Sequence, residues 1–91
     1  MRLVILTSQF RRSFKKILKS GRYTRKEVED VVEMIARGET LDLKYRDHWL
    51  HGELLNERGC HIHPDLILVY RIENNNLVLT LIDIGSHSDL F

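Results

Sequence analysis

Leu66-Ile67-Leu68-Val69-Tyr70 and Leu77-Val78-Leu79-Thr80-Leu81-Ile82 are two nearly continuous apolar runs of strand length, separated by a turn that contains Asn74-Asn75-Asn76. Asparagine tolerates the left-handed backbone of a tight hairpin, so the stretch predicts two antiparallel neighbours. A strand with one wet face alternates polar and apolar residues, and these runs do not. They predict central strands over 66–72 and 77–84, with one face under helices and the other largely closed or used. Working outward, Pro64-Asp65 divides them from a strand over 59–63, and Asn56-Glu57-Arg58-Gly59 divides that from one over 50–55. At the far end, Arg2-Leu3-Val4-Ile5-Leu6 is too short for a helix and suits a buried strand.

Two helices fill the interval. Phe10, Phe14, Ile17 and Leu18 lay one apolar stripe along a helix over 9–19, which Ser8 can cap and Gly21 can stop. Thr24-Arg25-Lys26-Glu27 has the form of a capping box, followed by Val28, Val31, Val32 and Ile35 at helical spacing, with Arg37-Gly38 closing the helix. The pair is expected to pack as a helical hairpin. The order β-α-α-β-β-β-β predicts a single α+β domain over 1–91, an antiparallel-rich sheet with both helices on one face. The stretch 39–49 is the one long irregular piece, and in so small a domain such a loop suggests function.

The composition is 43% hydrophobic and 30% charged with one proline, too apolar and periodic for a disordered tail. No apolar run approaches the ~18 residues of a bilayer span, so no membrane partner and a cytoplasmic location are expected. The lone Cys60 can form neither an internal disulfide nor, by itself, a thiolate metal site; strand alternation sends it to the core side. Charge is segregated. Residues 1–26 carry nine Lys and Arg and no acid, whereas 27–91 carry five against thirteen acids. Such asymmetry fits one face meeting a polyanion or an acidic protein, or simply a solvated basic helix.

All five histidines, His48, His51, His61, His63 and His87, fall in the second half of the chain. Alternation over 59–63 would put His61 and His63 on one face, and Pro64 would hold the Asp65 carboxylate at the strand tip. His87 follows the last strand in Gly85-Ser86-His87-Ser88. Three readings stay open from the residues alone: a metal site of His61 and His63 with His87 or Asp65, metal-free acid–base chemistry by paired imidazoles, or turn and surface histidines without a task.

Tyr45-Arg46-Asp47-His48-x-Leu50-x-Gly52, then Cys60-His61-Ile62-x-Pro64-Asp65-Leu66-Ile67-Leu68-Val69-Tyr70, then Gly85-Ser86-His87-Ser88-Asp89-Leu90-Phe91 resemble the YafQ branch of the RelE/ParE toxin superfamily, over essentially the whole chain. The resemblance implies a ribosome-dependent mRNA interferase, the toxin of a type II toxin–antitoxin pair. Such an enzyme cleaves mRNA in the ribosomal A site with neither metal nor cofactor, through attack of the 2′-OH on the adjacent phosphate. Its implied partners are mRNA and ribosomal RNA, a cognate DinJ/RelB-like antitoxin, and operator DNA only through that antitoxin.

Carried over by position, His48 is expected as general base, His61 as a phosphate-side donor, Asp65 as a residue orienting an imidazole or assisting the base, and His87 as general acid. Phe91 is expected either to stack on a base or to seal the sheet edge. Two positions depart from the pattern. Leu66 stands where relatives can carry Trp, and Asp83 where a basic residue is expected. The charge for the phosphate must then come from elsewhere, and Lys44, Arg46 and Arg71 are the candidates. Lys15, Lys16, Lys19, Arg22, Arg25 and Lys26 are expected to touch ribosomal RNA. Asp83 and Leu66 leave room for an alternative, a catalytically weak homologue that mainly binds its antitoxin in an autoregulatory complex on DNA. A gyrase-directed ParE-like relative shares the fold but lacks this histidine set.

Overall fold

The two apolar runs form the centre of the molecule. In the computed structural model, which describes residues 1–50 and 56–91, they are β4 (Leu66–Glu73) and β5 (Val78–Gly85), paired antiparallel. Asn74, Asn75 and Asn76 all take positive φ, and Leu77 N–H closes the turn on the Glu73 and Asn74 carbonyls. The asparagine run thus makes the hairpin by accepting a backbone that most side chains resist. Around it the sheet runs β1-β5-β4-β3-β2. β3 (Arg58–His63) and the short β2 (His48–Trp49) are antiparallel, and β1 (Leu3–Leu6) lies parallel to β5 at the other edge. The strand expected over 50–55 lies, apart from Leu50, outside the described residues. The 39–49 stretch holds a 3-10 turn (Leu43–Tyr45) and β2.

Helix α1 (Ser8–Lys19) is capped by Thr7 and not, as expected, by Ser8. The Thr7 side chain accepts from Phe10 N–H while its hydroxyl meets the Leu81 and Ile82 carbonyls at 2.9 Å, tying the helix start to β5. Helix α2 (Arg25–Ala36) begins with the anticipated Thr24/Glu27 capping box. The two helices lie together on one face of the sheet as the expected hairpin, with the Arg25 guanidinium of α2 over the Phe14 ring of α1. A groove of about 770 Å3 opens between them, walled by Phe14 and Leu18 from α1 and Val28 and Val32 from α2, with Val4 and Leu81 beneath.

Both faces of the sheet are apolar, as the uninterrupted runs require. Leu66, Leu68 and Tyr70 of β4, Leu79, Leu81 and Ile84 of β5, and Cys60 of β3 pack under Phe10, Val28, Val31 and Ile35. On the opposite face Ile67 and Val69 are buried by Leu50, Ile82 and Leu90. Two bulges adjust the alternation. Ile62 is an extra residue between the pairs His61–Ile67 and His63–Leu66, and Ile82 one between Val69–Asp83 and Tyr70–Leu81.

One polar network crosses the helix-side core. The Tyr70 hydroxyl donates to Asp47, which also pairs with Arg58; burial first and then the Asp47 carboxylate raise the Tyr70 phenol above its ordinary range. Asp47→Ala strands a half-buried guanidinium and a phenol, and is expected to cost about 2 kcal/mol in chemical denaturation, against about 1 for Tyr70→Phe. Cys60 is fully buried, and that burial pushes its thiol up to about 12. The native protein is therefore expected to resist a thiol reagent at pH 8 and to react on addition of denaturant.

Candidate functional site

Three of the five histidines come together on the face away from the helices. His48, His61 and His87 line one pocket of about 330 Å3 with Trp49 and Phe91, above Leu50 and Ile67. Each imidazole arrives on a different element. His48 opens β2 and pairs opposite Gly59 of β3; His61 pairs opposite Ile67 of β4. Their rings lie 6.2 Å apart. His87 opens α3 (His87–Leu90), and its ring lies 5.0 Å from that of Phe91.

Local chemistry fixes these positions. Arg46 takes a left-handed backbone (φ 49°), and its carbonyl lies 2.6 Å from His48 Nδ1. A carbonyl can only accept, so Nδ1 carries the proton and a neutral His48 keeps a lone pair on Nε2. His61 Nδ1 meets the Pro64 carbonyl at 3.3 Å with the same consequence. For α3, the Ser86 side chain accepts from Asp89 N–H while Asp89 accepts from Ser86 N–H, a reciprocal cap on a single turn. The Ser86 cap holds the Asp89 carboxylate below the usual range. Gly85 lets this turn sit close: a Cβ there would fall 3.2 Å from Asp89 Cβ.

Asp65 does not join the imidazoles. Its carboxylate meets the Arg22 guanidinium at 2.6 Å, and hydrogen bonds from Tyr23 and Arg22 hold it below the ordinary carboxylate range. It lines a separate polar pocket with Lys16, Asp83 and Asp89, so it orients no described imidazole. His63 shares a neighbouring pocket with His61 but does not line the histidine pocket. The bulge at Ile62 puts these two opposite successive residues of β4, hence on opposite faces, and His63 lies against Tyr23 and within 3.2 Å of Glu27. Strict alternation, the basis for grouping them, misses a bulge because nothing in His61-Ile62-His63 marks one.

Of the cations considered for the phosphate, Lys44 and Arg46 line a neighbouring pocket of about 340 Å3 that shares His61 with the histidine pocket. Arg71 is turned to Glu57 at 2.6 Å and Glu73 at 3.6 Å and lines neither. Asp83, the acid that threatened to repel a phosphate, accepts from Gln9 at the start of α1 and lies outside the histidine pocket. Lys15, Lys16, Lys19, Arg22, Arg25 and Lys26 lie on α1, on the turn after it and on the first turn of α2. Arg22, Arg25 and Lys26 are in exposed pairs with Asp65, Glu29 and Asp30. Trp49, a residue the sequence reading leaves in the irregular 39–49 stretch, also lines the histidine pocket; its adjacency to His48 is the one sequence signal for it.

The comparisons agree with this architecture. A Helicobacter pylori toxin variant solved with copper bound superposes with a TM-score of 0.92 at 35% identity over all of both chains. YafQ from Escherichia coli superposes at 0.87 and 22% identity over 100% of this chain and 99% of its own, and shares the fold. YafQ in complex with DinJ, also from E. coli, superposes at 0.84 and 24% identity over the same shares. No curated protein matches the chain in sequence. Among the described residues no three His, Cys, Asp or Glu side chains gather so as to hold a metal ion, and no helix is long and apolar enough to cross a membrane. The family described as the bacterial toxin of type II toxin–antitoxin systems, YafQ, matches residues 2–91, and the chain belongs to that family.

Proposed function

We propose that this toxin is a ribosome-dependent mRNA endoribonuclease whose reaction runs in the histidine pocket. The observation that carries the proposal is the convergence of His48, His61 and His87 on one pocket of nucleotide size. With Nδ1 committed to the Arg46 carbonyl, His48 Nε2 takes the proton of the substrate 2′-OH. The 2′ oxygen then bonds to the adjacent phosphorus as the P–O5′ bond breaks. His87 delivers a proton to the departing 5′ oxygen, leaving a 2′,3′-cyclic phosphate and a 5′-OH. His61, between the two pockets, donates to the phosphate from Nε2 in its doubly protonated form, with Lys44 and Arg46 beside it supplying positive charge. Asp65 is assigned a structural part, holding Arg22.

The opposite side of the molecule suits its macromolecular partners. Lys15, Lys19 and Arg25 line the apolar groove between α1 and α2. An acidic, amphipathic segment of a DinJ-like antitoxin would match both its floor and its rim. The same cations suit ribosomal RNA backbone, so antitoxin and ribosome compete for them. Operator DNA is reached through the antitoxin, and the cytoplasm follows from the substrate. A second reading, a catalytically weak toxin acting through its antitoxin complex, draws support from the lining of the histidine pocket, which holds neither Lys nor Arg among the described residues.

Mapping of RNA ends in a translating extract against free mRNA distinguishes them. The enzyme reading expects 2′,3′-cyclic phosphate ends only under translation. His48→Ala and His87→Ala are each expected to slow cleavage by about 10²–10⁴-fold while antitoxin still co-purifies with both. Growth arrest untouched by either substitution would remove the enzyme reading and leave the second.

A further inference from the structure

The three imidazoles of the histidine pocket are not held alike. His48 and His61 are each tied through Nδ1 to a backbone carbonyl, of Arg46 and Pro64. His87 makes no ring hydrogen bond among the described residues, and its ring neighbour, Phe91, closes the same helical turn. The place of this imidazole is therefore set by α3 itself. A helix of four residues is a poor structure alone, because its first turn fixes several residues for one hydrogen bond. Two contacts outside the helical ladder hold it. Leu90 anchors the far end in the apolar closure over Ile67 and Val69. At the near end the Asp89 carboxylate accepts from Ser86 N–H at 3.1 Å, and the Ser86 hydroxyl accepts from Asp89 N–H at 3.2 Å. Gly85, the last residue of β5, leaves room for this cap, since a Cβ there would lie 3.2 Å from Asp89 Cβ and 3.3 Å from Oδ2. Asp89 lines the polar pocket behind α3 with Lys16 and Asp83, and it does not line the histidine pocket.

We infer that Asp89 is a positioning residue for His87: its carboxylate locks the turn of α3 onto the end of β5 and so fixes where the imidazole meets the departing 5′ oxygen. The inference rests on the ribonuclease reading. A general acid has to lie within hydrogen-bond reach of the atom it protonates, and an imidazole on an unwound C-terminus spends most of its time elsewhere. Loss of the cap therefore slows proton delivery at saturating mRNA and leaves binding as it was. The hydrogen bonds from Ser86, with the charge of Lys16 across the polar pocket, keep the Asp89 carboxyl ionised below the usual carboxylate range, so the lock is closed throughout the neutral range.

The test reads kcat and KM of the full-length protein in a purified translation system on one mRNA and on its analogue in which sulfur replaces the bridging 5′ oxygen at the cleaved junction. Sulfur leaves as a thiolate without a proton, so the analogue bypasses the acid and still needs the base. On ordinary mRNA Asp89→Ala is expected to lose about tenfold in kcat with KM unchanged, and Ser86→Ala, which removes the other half of the cap, to do the same. Asp89→Asn keeps an acceptor oxygen for Ser86 N–H and is expected to stay within about threefold. On the sulfur analogue Asp89→Ala, Ser86→Ala and His87→Ala should all return to the wild-type rate, while His48→Ala stays slow. The His48–His61 ring contact, read by nuclear magnetic resonance, should survive in Asp89→Ala, and the His87–Phe91 contact should weaken. Wild-type kcat in Asp89→Ala on ordinary mRNA, or an equal loss on both substrates, would overturn the positioning role while leaving the nuclease intact. A wild type that cleaves nothing under translation would remove the ribonuclease reading and the positioning role with it.

Discussion

Ile67 and Val69 of β4 point away from the helices, and water is a poor place for them. Each is worth roughly 1.5–3 kcal/mol when buried, so the second face of the sheet has to be closed by something other than α1 and α2. Leu50, Ile82 and Leu90 close it. Leu50 follows directly on His48 and Trp49, and Leu90 belongs to the same helical turn as His87 and is followed by Phe91. The apolar side chains that bury the sheet therefore carry the polar site with them. Burial of the far face and assembly of the pocket are one event.

The helix side answers to a different demand. There the sheet is covered by an amphipathic pair joined where Arg25 lies over Phe14, and the groove between them is apolar at its floor, with Arg11, Lys15, Lys19 and Arg25 and one acid, Glu29, at its rim. This divides the molecule into a small histidine-lined pocket on one face and a large basic groove on the other. The division matches the segregation of charge along the chain, because the first 26 residues supply β1, α1 and the turn into α2.

Much of this was legible in the sequence because it rests on local physics. The hairpin at Asn74-Asn75-Asn76, the Thr24/Glu27 capping box and the two-sided apolar character of β4 and β5 are each written in a few adjacent residues. The gathering of His48, His61 and His87 was legible only through the order of motifs, since it depends on strand neighbours far apart in sequence. What stayed hidden follows from single-residue irregularities. The bulge at Ile62 turns His63 to the face opposite His61, and Asp65 pairs with Arg22 in a pocket apart from the histidine one. Both depend on packing between elements, which period-two counting does not contain. Trp49 closes the 39–49 stretch read as irregular, where no periodicity assigns a residue to a face.

The central claim is that burial of β4 brings three imidazoles to one place in fixed tautomers. Nuclear magnetic resonance of the histidine side chains tests it most directly. At neutral pH nuclear Overhauser contacts are expected between the rings of His48 and His61 and between those of His87 and Phe91, with nitrogen shifts that report Nδ1–H in His48 and His61. Rings without mutual contacts, or a proton on Nε2 of His48 in its neutral form, would contradict it.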